Sequence, residues 1–300
     1  MKQLFVLLGP TAVGKTELSF ELAEYLHCPI ISADSRQLFR ELPVGTAAPT
    51  AAERQRVQHF FVADHSVDDY YSASLYERDV LQLLDAQFRE REVALMSGGS
   101  MMYIDAVCNG IDDIPTVRDD IRQTMKRRLA EEGLEALVEQ LHQLDPEHWA
   151  IVDRKNPRRV LHALEICIQT GKTYTSFRTN SRRERPFQII KIGLNRDREE
   201  LYDRINRRVL QMMAQGLEQE ARAVYPKRAN TALLTVGYKE LFQYFDGAIS
   251  RDEAIRQIQS HTREYMRKQL TWFRRDADIH WFHPNQRSEI LQFVSDTLKR

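Results

Sequence analysis

The sequence predicts an α/β fold: a parallel sheet with flanking helices, interrupted by an all-helical insertion domain. Three observations predict it. The apolar run Leu4-Phe5-Val6-Leu7-Leu8 leads into Gly9-Pro10-Thr11-Ala12-Val13-Gly14-Lys15-Thr16, which fits the phosphate-loop pattern G-x-x-x-x-G-K-[ST] between a strand and a helix. Strand and helix patterns alternate across residues 1–114, as parallel pairing with crossover helices requires. Residues 115–185 carry helical periodicity alone, and a β pattern then returns at Gln188-Ile189-Ile190-Lys191-Ile192-Gly193-Leu194. The reading is a P-loop NTPase-like core domain, residues 1–114 and 186–300, with a helical insertion domain at 115–185.

Each element has its own signal. After the loop, Leu18, Leu22 and Leu26 share one helical stripe, and Pro29-Ile30-Ile31-Ser32 reads as a short strand. Another strand, Val93-Ala94-Leu95-Met96, ends at Ser97-Gly98-Gly99-Ser100 and a new helix. Ligands of such sheets gather beyond the carboxyl ends of the strands, where residues 9–16, 34–37 and 98–103 all fall.

In the insertion, Thr116 and Asp119 have capping-box spacing at the start of a helix that stops near Gly133. Leu134, Leu137, Val138, Leu141 and Leu144 recur at helical spacing. Asn156-Pro157 reads as an N-cap with proline at the first helical position, and Gly171 closes that helix. Residues 180–186 are polar and basic and read as a linker. A separate C-terminal domain is the weaker alternative, because a lone strand at 188–194 needs a sheet to join. Two long helices follow, roughly 198–225 and 252–275, with Gly237-Tyr238-Lys239-Glu240 between them. Ser250 and Glu253 form a second capping-box pattern.

Composition narrows the function classes. The chain has 43 basic and 43 acidic residues, so no global field advertises a nucleic-acid partner, which must be sought in local clusters. Cys28, Cys108 and Cys167 show neither metal nor disulfide spacing and read as small buried apolar residues in a reduced compartment. The first strand begins almost at the N-terminus, which leaves no room for a signal peptide, and no apolar run is long enough to cross a bilayer. The expectation is a cytoplasmic protein without a membrane partner. With no exposed apolar seam evident, a monomer is expected.

The phosphate loop binds a polyphosphate through its backbone N–H groups, the Lys15 charge and the helix N-terminus, and Thr16 can ligate a magnesium ion. Thr11 is less expected inside such a loop: its hydroxyl either meets a bridging or leaving oxygen or satisfies the loop backbone. Asp34, after the second strand, reads as a proton acceptor, a water-mediated magnesium ligand or a helix N-cap. At about 100° per residue, Leu201, Ile205, Val209 and Met212 form one stripe that includes Arg208 and excludes Arg207. An arginine on a buried stripe needs an anion, which a phosphate or a core carboxylate supplies.

On the last long helix Arg256, Arg263, Arg267 and Arg274 share one face, while Ile255, Ile258, Tyr265, Leu270 and Phe273 supply packing. Such a stripe either tracks a nucleic-acid backbone or is a solvated face. Further basic groups gather at Arg158-Arg159 and at Arg178, Arg182, Arg183 and Arg185. The nine histidines, among them His27, His142, His162 and His261, form no metal-ligand pattern.

Taken together these residues resemble the tRNA dimethylallyltransferase family, over nearly the whole chain. The matching pieces are Gly9-Pro10-Thr11-Ala12…Gly14-Lys15-Thr16, Asp34-Ser35-Arg36-Gln37, Gly45-Thr46-Ala47…Pro49 and Gly98-Gly99-Ser100…Tyr103. Further along are Asn156-Pro157…Arg159…Ala163-Leu164-Glu165, Gly216-Leu217…Glu220, Gly237-Tyr238-Lys239-Glu240 and Lys268-Gln269-Leu270-Thr271-Trp272-Phe273-Arg274. The resemblance implies transfer of a dimethylallyl group from dimethylallyl pyrophosphate to N6 of the adenine just 3′ of the tRNA anticodon. The phosphate loop, a nucleotide- or ATP-binding motif elsewhere, would then hold a prenyl pyrophosphate.

Carried over, Thr11 would contact the bridging oxygen of the leaving pyrophosphate, and Asp34 would be the general base. Lys15 and Arg208 would hold pyrophosphate charge, and Thr16 would help bind magnesium. Asp34, Ser35, Arg36 and Gln37, together with Arg158, Arg159, Val160, Leu161 and His162, would contact tRNA. Ser100, Met102 and Tyr103 would line the channel where the substrates meet, and the Arg263, Arg267 and Arg274 face would follow the RNA. Three positions depart from the family pattern: Ala48 for lysine, Ser100 for threonine and His162 for arginine. The zinc finger of eukaryotic relatives is missing, consistent with a bacterial type. Two alternatives stand beside this reading, an ATP-dependent small-molecule kinase and a prenyltransferase acting on free adenine nucleotides.

Overall fold

In the computed structural model, which describes residues 1–179 and 182–299, the first apolar run becomes strand β1 (Gln3–Leu8), buried along its whole length. Alternate residues face opposite layers, because successive side chains of a strand point to opposite faces. Phe5 and Leu7 pack into one core cluster, and Leu4, Val6 and Leu8 into the other. Helix α1 (Lys15–Tyr25) follows the loop, and the chain then forms β2 (Ile30–Ala33), α2 (Ala51–Arg56), β3 (His59–Phe60) and α3 (Ala73–Glu90). Strand β4 (Val93–Gly98) and helix α4 (Met101–Asn109) complete the first half of the sheet.

After the insertion come β5 (Gln188–Leu194), α8 (Arg198–Ala214), α9 (Leu217–Val224), α10 (Tyr238–Phe245) and α11 (Arg251–Phe273), then β6 (Ile279–Phe282) and α12 (Arg287–Leu298). The insertion itself contributes α5 (Asp119–Leu144), α6 (Pro146–Ile151) and α7 (Pro157–Thr170). The sheet order is β3-β2-β4-β1-β5-β6 and every pair is parallel. Strand β1 lies between β4 and β5, with Phe5 opposite both Leu95 and Ile190. The β strand expected at 188–194 therefore joins the first half of the chain.

One face of the sheet is covered by α1, α8 and α12 through Leu18, Leu22, Leu201, Ile205, Ile290 and Val294. The other is covered by α3 and α4 through Tyr76, Val80, Leu84, Ile104 and Val107. A third cluster joins Val209 and Met212 of α8 to α9, α10 and α11. Arg185, expected in a basic surface cluster, is instead buried in the core unit. It pairs with Glu77 at 2.6 Å and donates to the Ala106 and Val107 carbonyls.

The chain divides into Met1–Cys108 with Glu184–Arg300, and Asn109–Arg183. The first cut falls at Asn109, where α4 ends, and not at Pro115. Asn180 and Ser181 of the expected linker lie outside the described residues. Within the helical unit, Met125, Leu137, Leu141, Val160 and Leu164 form a core of their own. Helix α5 breaks at Gly133 (φ 82°, ψ 171°), and Asn156 caps α7 by accepting the Arg159 N–H.

Three local expectations need correction. The Thr116 capping box does not form: Gln169 accepts the Arg118 N–H and donates to the Thr116 carbonyl, so α5 begins only at Asp119, with no side-chain cap. The helix expected over 198–225 is two helices, because Gly216 adopts φ 102°, where an α-helix cannot continue. Ser250 does cap α11 through the Glu253 N–H, but the Glu253 carboxylate goes to Arg256 and Gln257. All three cysteines are free and buried.

Candidate active site

The phosphate loop links the buried end of β1 to α1. Its Ala12 has φ 63°, a conformation unusual for a side-chain-bearing residue. Two arginines hold it: Arg204 Nε donates to the Ala12 carbonyl at 2.7 Å, and Arg196 Nε to the Val13 carbonyl at 2.8 Å. The N-terminus of α1 has no side-chain cap, so its first amides are free for an anion. Lys15 is folded back, its Nζ donating to the Gly9 and Pro10 carbonyls at 2.9 and 2.8 Å. Burial lowers its pKa to about 7; the Arg208 charge adds to this and the Asp34 charge opposes it.

Asp34 leaves the end of β2 and turns the chain back on itself. Its Oδ1 accepts the Arg36 and Gln37 N–H groups at 2.9 and 3.3 Å and so closes a turn; no helix begins here, and the expected N-cap role is not realised. The Ser100 hydroxyl fixes the same turn from the end of β4 by accepting the Ser35 N–H at 2.8 Å. Gln37 is already engaged: its amide donates to the Thr46 and Ala47 carbonyls and accepts the Ser32 hydroxyl.

Arg208 reaches the same place from α8, lying as expected beside buried Ile205, Val209 and Met212. Its Nη2 donates to the Thr46 carbonyl at 3.4 Å. Burial lowers its pKa and the neighbouring Arg204 charge lowers it further, against the Asp34 carboxylate. The loop that presents Thr46 is held by Glu220 of α9, whose carboxylate accepts the Val44 and Gly45 N–H groups and the Tyr238 hydroxyl. Arg207, off the buried stripe and exposed, pairs with Asp203.

Two adjoining cavities result. A cationic one of about 570 Å³ is lined by Lys15, Thr16, Arg196, Arg204, Arg207 and Arg287, among others. The second, of about 350 Å³, has an apolar limb made by Ile205, Val209, Met212, Leu217, Val236 and Ile258. Thr11, Asp34, Arg208 and Tyr265 line both. A charged donor and an apolar group therefore have separate walls that meet at a hydroxyl, a carboxylate and a guanidinium. Among the described residues no cluster of three His, Cys, Asp or Glu side chains is arranged to hold a metal ion.

The structure thus brings Gly9 to Thr16, Asp34 to Gln37, Ser100 and Arg208 together at the carboxyl ends of β1, β2 and β4. Other candidates fall elsewhere. Tyr103 is buried and stacks on Tyr76 at 4.1 Å, and Met102 is exposed; neither lines the cavities. Val160 and Leu161 are core residues of the helical unit and leave only Arg158, Arg159 and His162 of that segment exposed. Arg263, half-buried, donates to Asn206 of α8, and Arg267 donates to the Tyr202 hydroxyl; Arg267 and Arg274 are both exposed.

Tyr265, assigned to packing from its helical position, stands in the site. Burial and the Asp34 charge push its hydroxyl up to about 12. Gln269, Glu220, Arg196 and Arg204 carried no sequence-based role. Gln269 and Glu220 were open to discovery by the signal that picked out Arg208, a polar residue on an otherwise buried helical stripe. Gln269 follows Met266 and precedes Phe273, and Glu220 lies between Leu217 and Val224.

Residues 37–276 match the IPP transferase family. The chain is 61% identical over 293 residues to tRNA dimethylallyltransferase 2 of Porphyromonas gingivalis, covering 97% of this chain and 98% of that one. It is 57% identical to tRNA dimethylallyltransferase 1 of Bacteroides fragilis, over 99% of both chains. Among solved structures, the full-length tRNA isopentenylpyrophosphate transferase of Bacillus halodurans superposes with a TM-score of 0.73 at 33% identity, covering 100% and 97% of the two chains. A eukaryotic dimethylallyltransferase acting on tRNA shares the fold, with a TM-score of 0.81 at 21% identity over 99% of this chain and 80% of that one. A phosphate loop facing a carboxylate across an arginine-lined cleft, on a sheet these structures share, has its place among these proteins: the chain belongs to the IPP transferase family.

Proposed function

We propose that this protein is a tRNA dimethylallyltransferase. It transfers the dimethylallyl group of dimethylallyl pyrophosphate to N6 of the adenine immediately 3′ of the anticodon and releases pyrophosphate. The observation that carries the reading is the meeting of the cationic and apolar cavities at Thr11, Asp34, Arg208 and Tyr265. One substrate has a charged end and a small apolar end, and the reaction occurs at their junction.

In this mechanism the loop amides, Lys15 and the α8 arginines hold pyrophosphate, and Thr11 donates to the oxygen that bridges phosphorus and carbon. As the allylic C–O bond breaks, negative charge grows on pyrophosphate, and cations already in place stabilise it without reorganising. N6 of the adenine forms the new bond to the allylic carbon, and its proton passes to the Asp34 carboxylate. The base must leave its stack to reach Asp34, at a cost that is smaller in a loop than in a duplex. The exposed Arg158, Arg159, His162 and Arg274 are available to contact the RNA backbone.

Magnesium fits the donor set. This ion keeps few protein ligands and takes phosphate and water oxygens for the rest. The exposed Thr16 hydroxyl on the cationic cavity would hold it, with the Asp34 carboxylate lining the same space. When bound it would neutralise pyrophosphate charge. The state assigned to the protein is a monomer in the cytoplasm, where its RNA substrate is found. In support, no helix among the described residues is long and apolar enough to cross a membrane.

A transfer assay with labelled dimethylallyl pyrophosphate tests the function. Unmodified tRNA with adenine 3′ of the anticodon should take up label, and the same tRNA with that base changed should not. Label on free AMP would favour the free-nucleotide reading. Hydrolysis of ATP with no label on any RNA would overturn the proposal in favour of a kinase.

A further inference from the structure

Gln269 lies on α11, far along the chain from the phosphate loop, yet its side chain sits inside the loop's backbone. Only 2% of the residue is exposed. Its Oε1 accepts the Thr11 N–H at 2.9 Å, and its Nε2 donates to the Gly99 carbonyl at 2.7 Å. One amide therefore ties the loop after β1 to the end of β4. The fit is tight: a Cβ at Gly99 would lie 2.6 Å from Gln269 Nε2, 3.2 Å from the Gly9 carbonyl oxygen and 3.6 Å from Lys15 Nζ.

The consequence concerns Thr11. With its amide N–H taken by Gln269, the backbone of Thr11 cannot turn inward to a phosphate, and the residue is fixed where its side chain lines both cavities. We infer that Gln269 is a positioning residue for the transfer step, and that its side-chain amide sets where the Thr11 hydroxyl stands relative to the breaking C–O bond. The inference rests on the prenyl-transfer reading of the site. Glutamine suits the task because its amide supplies one acceptor and one donor from a single plane, without adding charge beside Lys15.

The test compares Gln269→Leu, Thr11→Val and the double variant in single-turnover transfer at saturating dimethylallyl pyrophosphate. Gln269→Glu is added as an isosteric change that keeps the acceptor for the Thr11 N–H and loses only the donor to Gly99 when its carboxyl is ionised. A displacement of about 1 Å at a reacting group costs on the order of 100-fold. Gln269→Leu should therefore slow transfer about 10- to 100-fold, and Gln269→Glu less. Inorganic pyrophosphate should still bind within about threefold of wild type. In the double variant the losses should not multiply, because residues acting through one another are not additive.

Full transfer by Gln269→Leu, or losses that multiply, would overturn the inference. So would a general collapse of pyrophosphate binding in both Gln269 variants. Hydrogen exchange at the Thr11 amide reports on the clamp without any turnover. Protection in wild type that is lost in Gln269→Leu supports it, and equal exchange refutes it. Should wild type transfer no label, the prenyl-transfer reading fails while this exchange result still judges the clamp.

Discussion

Replacing Arg208 by alanine removes a guanidinium that lines both cavities and is buried enough for its pKa to be lowered. In the ligand-free protein its only direct hydrogen bond among those described is a long one, 3.4 Å to the Thr46 carbonyl. The folded protein thus carries a desolvated cation whose main compensation is the charge of Asp34. That is costly at rest and valuable once a pyrophosphate arrives, since charges interact more strongly where water is excluded. Loss of one preorganised donor to a developing anion reduces turnover by about 100- to 1,000-fold, roughly 3–4 kcal/mol. Arg208→Lys keeps the charge but loses the forked geometry and should recover only part of that.

Two measurements separate this role from a structural one. Single-turnover transfer at saturating donor should fall by the factor above, while tRNA affinity by filter binding should change less than about threefold. Thermal unfolding without ligand should be unchanged or slightly improved, because an incompletely compensated buried charge has been removed. The rise in melting temperature produced by inorganic pyrophosphate should shrink sharply. A single-turnover rate within about threefold of wild type would refute the reasoning, as would an unaltered pyrophosphate-induced shift.

Lys15, held near 7 by burial in the ligand-free protein, must be charged to hold pyrophosphate, so binding raises its pKa. The sign follows: between about pH 7 and its ordinary 10.5, binding takes up a proton, and below 7 it does not. Calorimetry at pH 8 in two buffers of different ionisation enthalpy should show that uptake, and equal heats would contradict it. Glu77→Ala strands a buried guanidinium and should cost about 3–5 kcal/mol in urea unfolding, nearer the lower figure because Arg185 keeps its two carbonyl partners. Replacing both members by apolar residues should restore most of it. Gly98→Ala puts a Cβ 2.2 Å from the Ala33 carbonyl oxygen, forcing β2 and β4 apart. It should cost about 1–3 kcal/mol of stability, and more activity than that implies, since Asp34 and Ser100 sit at the ends of those strands.

The sheet was legible where strands are buried on both faces, because continuous apolar runs such as residues 4–8 and the 188–194 pattern have few other readings. Short or partly exposed strands carried less signal: β3 is two residues long, and β6 alternates around exposed His280. The helix α3 has an apolar residue every fourth position, Tyr76, Val80, Leu84 and Phe88, which is the periodicity of one buried helical face. Helix ends were harder, since they turn on distant partners. Gln169 decides where α5 starts, and no local motif could reveal a residue on α7 doing so.

The candidate site divides along the same line. Residues that act by type and local geometry, such as the loop, Asp34 and Lys15, announce themselves in short motifs. Residues that hold these in place are polar side chains on buried helical stripes, and their partners lie across the fold. Arg208 was recognised because a buried charge demands an explanation. Glu220 and Gln269 occupy equivalent stripe positions, yet apart from the Tyr238 hydroxyl on Glu220 their partners are backbone N–H and carbonyl groups. A polar residue whose partners are backbone leaves no second residue type to search for. The rigidity of this site therefore depends on contacts that sequence patterns encode least. Substitutions at Glu220 and Gln269 should accordingly impair transfer while leaving the phosphate loop, Asp34 and Arg208 unchanged.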